Sequence, residues 1–189
     1  MTYTPRIELA VQTAAVLHRT QIRKGQGKLP YVTHPFSVYA ILRDHTDDED
    51  VLIAGLLHDA LEDTPYTPDN LEKNFGPRVR EIVEGVTQKT TRDGKELDWV
   101  EQKKLYIEHL KSAPKESAMV AAADKVHNFR SVFDEYRNDV ARFKKDFTLQ
   151  DRIRFYQMIV DVISSRLGDT PLVATLRKTY DEYRTFLEQ

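Results

Sequence analysis

Apolar residues recur at α-helical spacing along most of this chain, and proline and glycine fall mostly between those stretches. That pattern leaves little room for a sheet, because half-buried strands need strict apolar–polar alternation. Thr4-Pro5 reads as an N-cap followed by proline at the first helical position. Ile7, Ala10, Val11, Ala14, Ala15, Leu17 and Ile22 then mark one apolar face, and Gly25 and Gly27 close that helix in a loop running to Tyr31. A second helix follows Pro35, with Val38, Ile41 and Leu42 inward. Val51 to Asp63 is a very apolar helix, expected at the centre of the fold. Thr67-Pro68-Asp69-Asn70 is a strong helix start with an acid in its first turn, and Gly76 fits the stop.

Pro77 to Val86 predicts another short helix. Gln88 to Leu97 has no periodicity and reads as a mobile loop. Trp99 to Leu110 is helical, and Pro114 starts a long helix through Tyr136 with Val120, Ala123, Val126 and Phe133 inward. Val140 to Phe147 is charged and fits no pattern. Leu149 to Leu167 and Leu172 to Leu187 read as closing amphipathic helices, separated by Gly168 and Pro171. No repeat, low-complexity tract or linker divides the chain. The expectation is one compact all-α multi-helix domain over residues 1–189.

Composition narrows the function. A net charge of −2 gives no global basic field for nucleic acid or acidic membranes, so any anion site must be local. Neither class of partner is expected, and the oligomeric state stays open. The chain has no cysteine, which rules out disulfides and thiolate metal sites. No apolar run approaches the ~18 residues of a membrane span. The start, Met1-Thr-Tyr-Thr-Pro-Arg6, lacks an apolar signal core. A cytoplasmic location is the expectation.

Metal-ligand residue types are spread over several segments. His34 precedes Pro35, His58 and Asp59 are adjacent, and Asp124 sits in Ala-Ala-Asp-Lys-Val-His-Asn. Two imidazoles and two carboxylates suit a borderline to hard divalent ion. On a continuous helix His58 and Asp59 diverge by about 100°, so both reach one ion only near the helix edge. Glu62 and Asp63 lie one turn further on, where carboxylates can position water or handle protons. Asn128 is one turn past Asp124 on the same face, whereas His127 is expected to point away. His18 reads as either a core histidine or a support for the site, and His45 and His109 as surface residues. Arg23 and Lys24 supply local positive charge for phosphate, or simply a basic turn at a helix end. Tyr31 could stack on a base or pack.

These segments resemble the HD-domain phosphohydrolases. More closely, the chain resembles the hydrolase domain of the RelA/SpoT proteins and the stand-alone small alarmone hydrolases, the metazoan SpoT homologue among them. The resemblance rests on Gln21-Ile-Arg-Lys24, Pro30-Tyr-Val-Thr-His-Pro35, Leu56-Leu-His-Asp-Ala-Leu-Glu-Asp-Thr64, Phe75-Gly76, Val83-Glu-Gly-Val-Thr87 and Ala123-Asp-Lys-Val-His-Asn-Phe-Arg130, in the family's order. It implies that His34, His58, Asp59 and Asp124 hold one Mn2+. It makes Glu62 and Asp63 the catalytic acids, and gives Arg23, Lys24 and Asn128 contacts to the nucleotide. The implied reaction is hydrolysis of ppGpp to GDP and pyrophosphate, with adenine analogues as further candidates. The chain departs from the family's pattern at Gln88-Lys89, where an acid or lysine is usual, and in a longer segment to Leu97. No synthetase or regulatory module is expected. The alternatives are another metal-dependent nucleotide phosphatase, such as one removing the 2′-phosphate of NADPH, or a nucleotide sensor without turnover.

Overall fold

The Thr4 hydroxyl accepts the Ile7 N–H at 3.2 Å, and Pro5 opens the first helix, α1 (Pro5–Leu17). This computed structural model describes residues 3–23, 28–92, 94–136 and 149–188. Lys24, Gly25, Gly27, the Phe133 side chain and the 140–147 segment lie outside the described residues.

Helix α1 stops at Leu17, well before the expected glycines. Beyond it the chain bonds to the incoming strand-like segment instead of to itself. Arg23 N–H donates to the Leu29 carbonyl at 2.8 Å, and Tyr31 N–H to Gln21 at 2.9 Å. The apolar face is correspondingly shorter: Ile7, Ala10 and Ala14 are buried, while Ala15 is exposed and Ile22 is 55% exposed.

Helices α2 (Thr33–Arg43) and α3 (Glu49–Leu57) follow. Asp48 caps α3 by accepting the Asp50 N–H at 3.1 Å, and every residue from Val51 to Leu57 is buried, as expected of a central helix. The expected continuation to Asp63 does not occur. The chain turns through His58 and Asp59 and resumes as α4 (Ala60–Asp63). His58 Nδ1 donates to the Gly55 carbonyl at 2.9 Å, the acceptor that Asp59 N–H would use in an unbroken helix.

Helix α5 (Pro68–Phe75) is capped by Thr67 and ended by Gly76, whose φ of 93° suits glycine and breaks the chain before α6 (Pro77–Glu84). The expected loop after Gln88 contains a small antiparallel hairpin, β1 (Thr91–Arg92) with β2 (Lys95–Glu96). Two-residue strands are too short to show an alternation in sequence. Asp98 and Glu101 form a capping box at the start of α7 (Trp99–Ser112). Helices α8 (Lys115–Tyr136), α9 (Leu149–Leu167) and α10 (Pro171–Glu188) complete the array. Helix α8 packs against α2, α3, α9 and α10, so its inward face looks onto the break after α3. Phe129 on α8 stacks on Tyr183 of α10, with ring centroids 4.8 Å apart. No described helix is long and apolar enough to cross a membrane.

Candidate active site

Three elements deliver the predicted cluster. The first turn of α2 carries His34, the α3–α4 break carries His58 and Asp59, and α8 carries Asp124. The break resolves the geometric difficulty that adjacent residues would pose on a continuous helix. His58 Nε2 lies 3.2 Å from Asp59 Oδ2 and 3.2 Å from His34 Nε2. His34 Nε2 lies 3.5 Å from Asp59 Oδ2 and 3.2 Å from Asp124 Oδ1, which is itself 3.8 Å from His58 Nε2. Donors bound about 2.1 Å from one ion sit about 3.0–3.4 Å apart, a spacing that His34, His58 and Asp59 approach, with their ligand atoms all within 4.8 Å of one another; Asp124 approaches it toward His34 and lies further from His58. The Gly55 carbonyl can only accept, which leaves the proton of neutral His58 on Nδ1 and a lone pair on Nε2 toward the cluster.

The cluster opens on a cavity of about 340 Å3. Glu62 and Asp63 both line it, so the acid pair and the cluster share one space. Burial pushes the Glu62 carboxyl up to about 7, with Asp59 and Asp63 adding to the rise and the Gln88 N–H, 2.9 Å from Oε2, opposing it. Burial, then the Asp59 charge, also raises Asp63. The Tyr31 hydroxyl reaches both Asp59 and Asp63, while His18 stacks on the Tyr31 ring at 5.0 Å.

Asp124 is held from two sides. Lys125 Nζ and Asn128 Nδ2 each donate to it at 2.5 Å, one to each oxygen. Burial alone would raise its carboxyl, but Lys125 and the two imidazoles outweigh burial and hold it well below the usual range. Asn128 also lies 3.5 Å from Arg23 Nη2, which donates to Ser131 Oγ at 3.0 Å. Asn128 and Tyr31 line the cavity; Arg23 is outside that lining, bonded to Asn128 and with its guanidinium carbon 5.8 Å from the centre of the Tyr31 ring. Lys24 lies outside the described residues.

Several participants were not singled out from sequence. Lys103 and Lys125 bring positive charge to the cavity wall. Burial, then the neighbouring Lys125, pushes Lys103 down to about 8, and its amine donates to Gln88 Oε1 at 2.5 Å. Gln88 thus touches Glu62 through its backbone and Lys103 through its side chain. A lysine in the charged run Glu101-Gln102-Lys103-Lys104 carries no mark of burial. His127, expected to point away, lies with its Nδ1 2.7 Å from His34 Nδ1. Its place three residues after Asp124 was the available clue, since positions three and four along a helix flank the same face. Burial, then His34 and Arg23, pushes His127 down to about 3. His18 is buried and donates to Gln21, whose amide donates to the Asp63 carbonyl, each at 2.6 Å. His109 is half-buried and bonds the Glu84 carbonyl at 3.0 Å, so it is not the free surface residue expected.

The HD domain family matches residues 10–148. The Xenopus tropicalis guanosine-3′,5′-bis(diphosphate) 3′-pyrophosphohydrolase MESH1 is 41% identical over 167 residues, covering 87% of this chain and 86% of the relative. The Homo sapiens protein of the same name is 38% identical over 125 residues, covering 65% and 67%. A solved metazoan ortholog of SpoT, described as hydrolysing ppGpp and playing a role in starvation responses, has a TM-score of 0.77 at 29% identity, covering 96% of this chain and 98% of that one.

Proposed function

The chain belongs to the HD-domain family, and on that premise we propose that it hydrolyses guanosine nucleotides bearing a 3′-pyrophosphate, giving GDP or GTP and pyrophosphate. The observation that carries this reading is one cavity holding both a His/Asp cluster of metal-binding spacing and a second, separate acid pair. Relatives named for this activity align over most of the chain.

In this reading His34, His58, Asp59 and Asp124 hold one Mn2+, for which a mixed imidazole–carboxylate set without thiolate is suited. Such an ion acidifies a water and neutralises a phosphate oxygen. Glu62, with its carboxyl near 7, accepts a proton from the attacking water at neutral pH and can return it to the departing 3′ oxygen. Asp63 is aligned beside it by Tyr31. The P–O bond to the 3′ oxygen breaks and the P–O–P bridge stays whole. Lys103 and Lys125 offset substrate charge from the cavity wall. Arg23 and Asn128 serve the nucleotide from the α8 side, with Lys24 beside Arg23 in sequence. Residues 1–189 act as one catalytic domain, and a cytoplasmic setting suits a chain without cysteine.

The test is incubation of the purified protein with Mn2+ and a nucleotide panel. Pyrophosphate and GDP from ppGpp are expected. Orthophosphate alone from ppGpp, or turnover of NADPH with none of ppGpp, would replace this reading with a different nucleotide phosphatase.

A further inference from the structure

His127 is not among the residues that line the cavity, yet it makes the nearest polar contact to one of the cluster's imidazoles. Its Nδ1 lies 2.7 Å from His34 Nδ1, with the rings 4.8 Å apart and tilted by 40°. His34 is 2% exposed, so its outer nitrogen has little access to water. Two ring nitrogens at that distance share one proton: one donates and the other accepts. A neutral imidazole that offers a lone pair through Nε2 carries its proton on Nδ1. If His34 Nε2 faces an ion, the Nδ1 of His127 must therefore be the acceptor.

We propose that His127 is a positioning residue of the metal site, which fixes the ring and tautomer of His34 by accepting its Nδ1 proton. This rests on the metal reading given above. Asp124, His127 and Asn128 stand at i, i+3 and i+4 on α8, so one helix face supplies a ligand and the support of a ligand from another helix. The two cluster imidazoles are then held by different means. His58 faces a backbone carbonyl, which can only accept, so its tautomer is fixed. His34 faces a group that can either donate or accept. In one arrangement His34 Nε2–H points at Asp124 Oδ1, 3.2 Å away; in the other Nε2 is free for a cation. A cation selects the second arrangement, and His127 must accommodate it.

Calorimetric titration with Mn2+ alone separates the possibilities. His127→Asn keeps an acceptor near the Nδ1 position, whereas His127→Phe keeps a ring without one. Losing a partner of this kind weakens metal binding by about 10–100-fold. His127→Phe should show that loss, and His127→Asn should bind within about threefold of the parent. The metal-free melting temperature should change little in the Asn variant. A readout independent of folding is nitrogen NMR of the parent protein loaded with diamagnetic Zn2+, where His34 should carry its proton on Nδ1. Parent-like Mn2+ affinity in His127→Phe, equal weakening in both variants, or a proton on His34 Nε2 in the loaded protein would each overturn the proposal. If the parent itself takes up no Mn2+ or Zn2+, the metal reading falls and this inference with it.

Discussion

Tyr31 donates its hydroxyl proton to Asp59 across 2.7 Å, and the same oxygen lies 2.9 Å from Asp63. One phenol therefore couples a cluster carboxylate to a member of the acid pair. One face of its ring is already covered by His18, which limits its use as a base platform. A hydrogen bond to a charged group contributes about 1.5–3 kcal/mol, or roughly 10–100-fold in an equilibrium or rate. Tyr31→Phe should lower kcat by about tenfold or more and leave KM nearly unchanged. Steady-state kinetics on ppGpp decide it. A raised KM at constant kcat would instead assign Tyr31 to nucleotide binding.

Glu62→Gln should keep the metal site and lose the proton-handling carboxylate. The Gln88 N–H can still bond the amide oxygen, so the local fold should hold. Turnover should fall by about a hundredfold or more, the scale of a positioned acid–base group. Asp63→Asn should fall similarly, with Mn2+ stoichiometry intact in both. Near-parental kcat in both single variants and the double variant would remove these residues from the chemistry.

Helix type and most starts were legible because caps and prolines act locally: Thr4, Asp98 and Thr67 each bond their own first turn. The ends were less legible where a side chain competes with the backbone. His58 takes the Gly55 carbonyl and breaks a stretch whose apolar composition predicts an unbroken helix. The cluster residues could be picked out by type and by motif, whereas the supports could not. Lys103 and Gln88 gain their surroundings from packing between α7 and the segment after α6, which single-sequence spacing does not encode; His127 meets His34 between α8 and α2, and only its place three residues after Asp124 pointed there.

Lys103 gives a pH signature. Its amine, pushed down to about 8, is positive below that pH and neutral above it. If it binds substrate phosphate, kcat/KM should fall as pH rises through about 8. Arginine stays charged throughout this range. Lys103→Arg should therefore carry the plateau to higher pH, and Lys103→Met should lower kcat/KM at pH 7. An unchanged alkaline limb in Lys103→Arg would show that another group titrates there.

Asp124 serves both the cluster and Lys125, whose largely covered side chain is 12% exposed beside it. Removing one partner of a buried ion pair costs about 3–5 kcal/mol, because the other charge is stranded. Asp124→Ala should thus lose bound metal and also melt earlier. Lys125→Met leaves the Asp124 carboxylate still bonded by Asn128 Nδ2, so it should affect folding less and keep the ligand. Metal analysis after dialysis against a mild chelator, beside thermal melts, separates the two effects. Parental metal content in Asp124→Ala would exclude Asp124 as a ligand.

Gly85 is constrained by space, since its φ of −66° is open to any residue. A Cβ there would collide with Ser117 Oγ and approach Ser117 Cβ to 2.9 Å and Ala113 Cβ to 3.1 Å. Ser117 cannot yield freely, because it is buried and its hydroxyl donates to the Ile82 carbonyl at 2.9 Å. Overpacking costs about 1–3 kcal/mol and the displaced hydrogen bond about 1 more. For a chain of this size Gly85→Ala should lower Tm by about 5–10 °C. Adding Ser117→Ala removes the colliding oxygen and should recover part of that loss, a non-additivity expected only of residues in contact. Activity should fall as well. Gly85 leads directly into Val86, Thr87 and Gln88, and the Gln88 N–H is what holds Glu62. Independent, additive effects of the two substitutions on Tm would show that the close approach of α6 to α8 does not set the position of that segment.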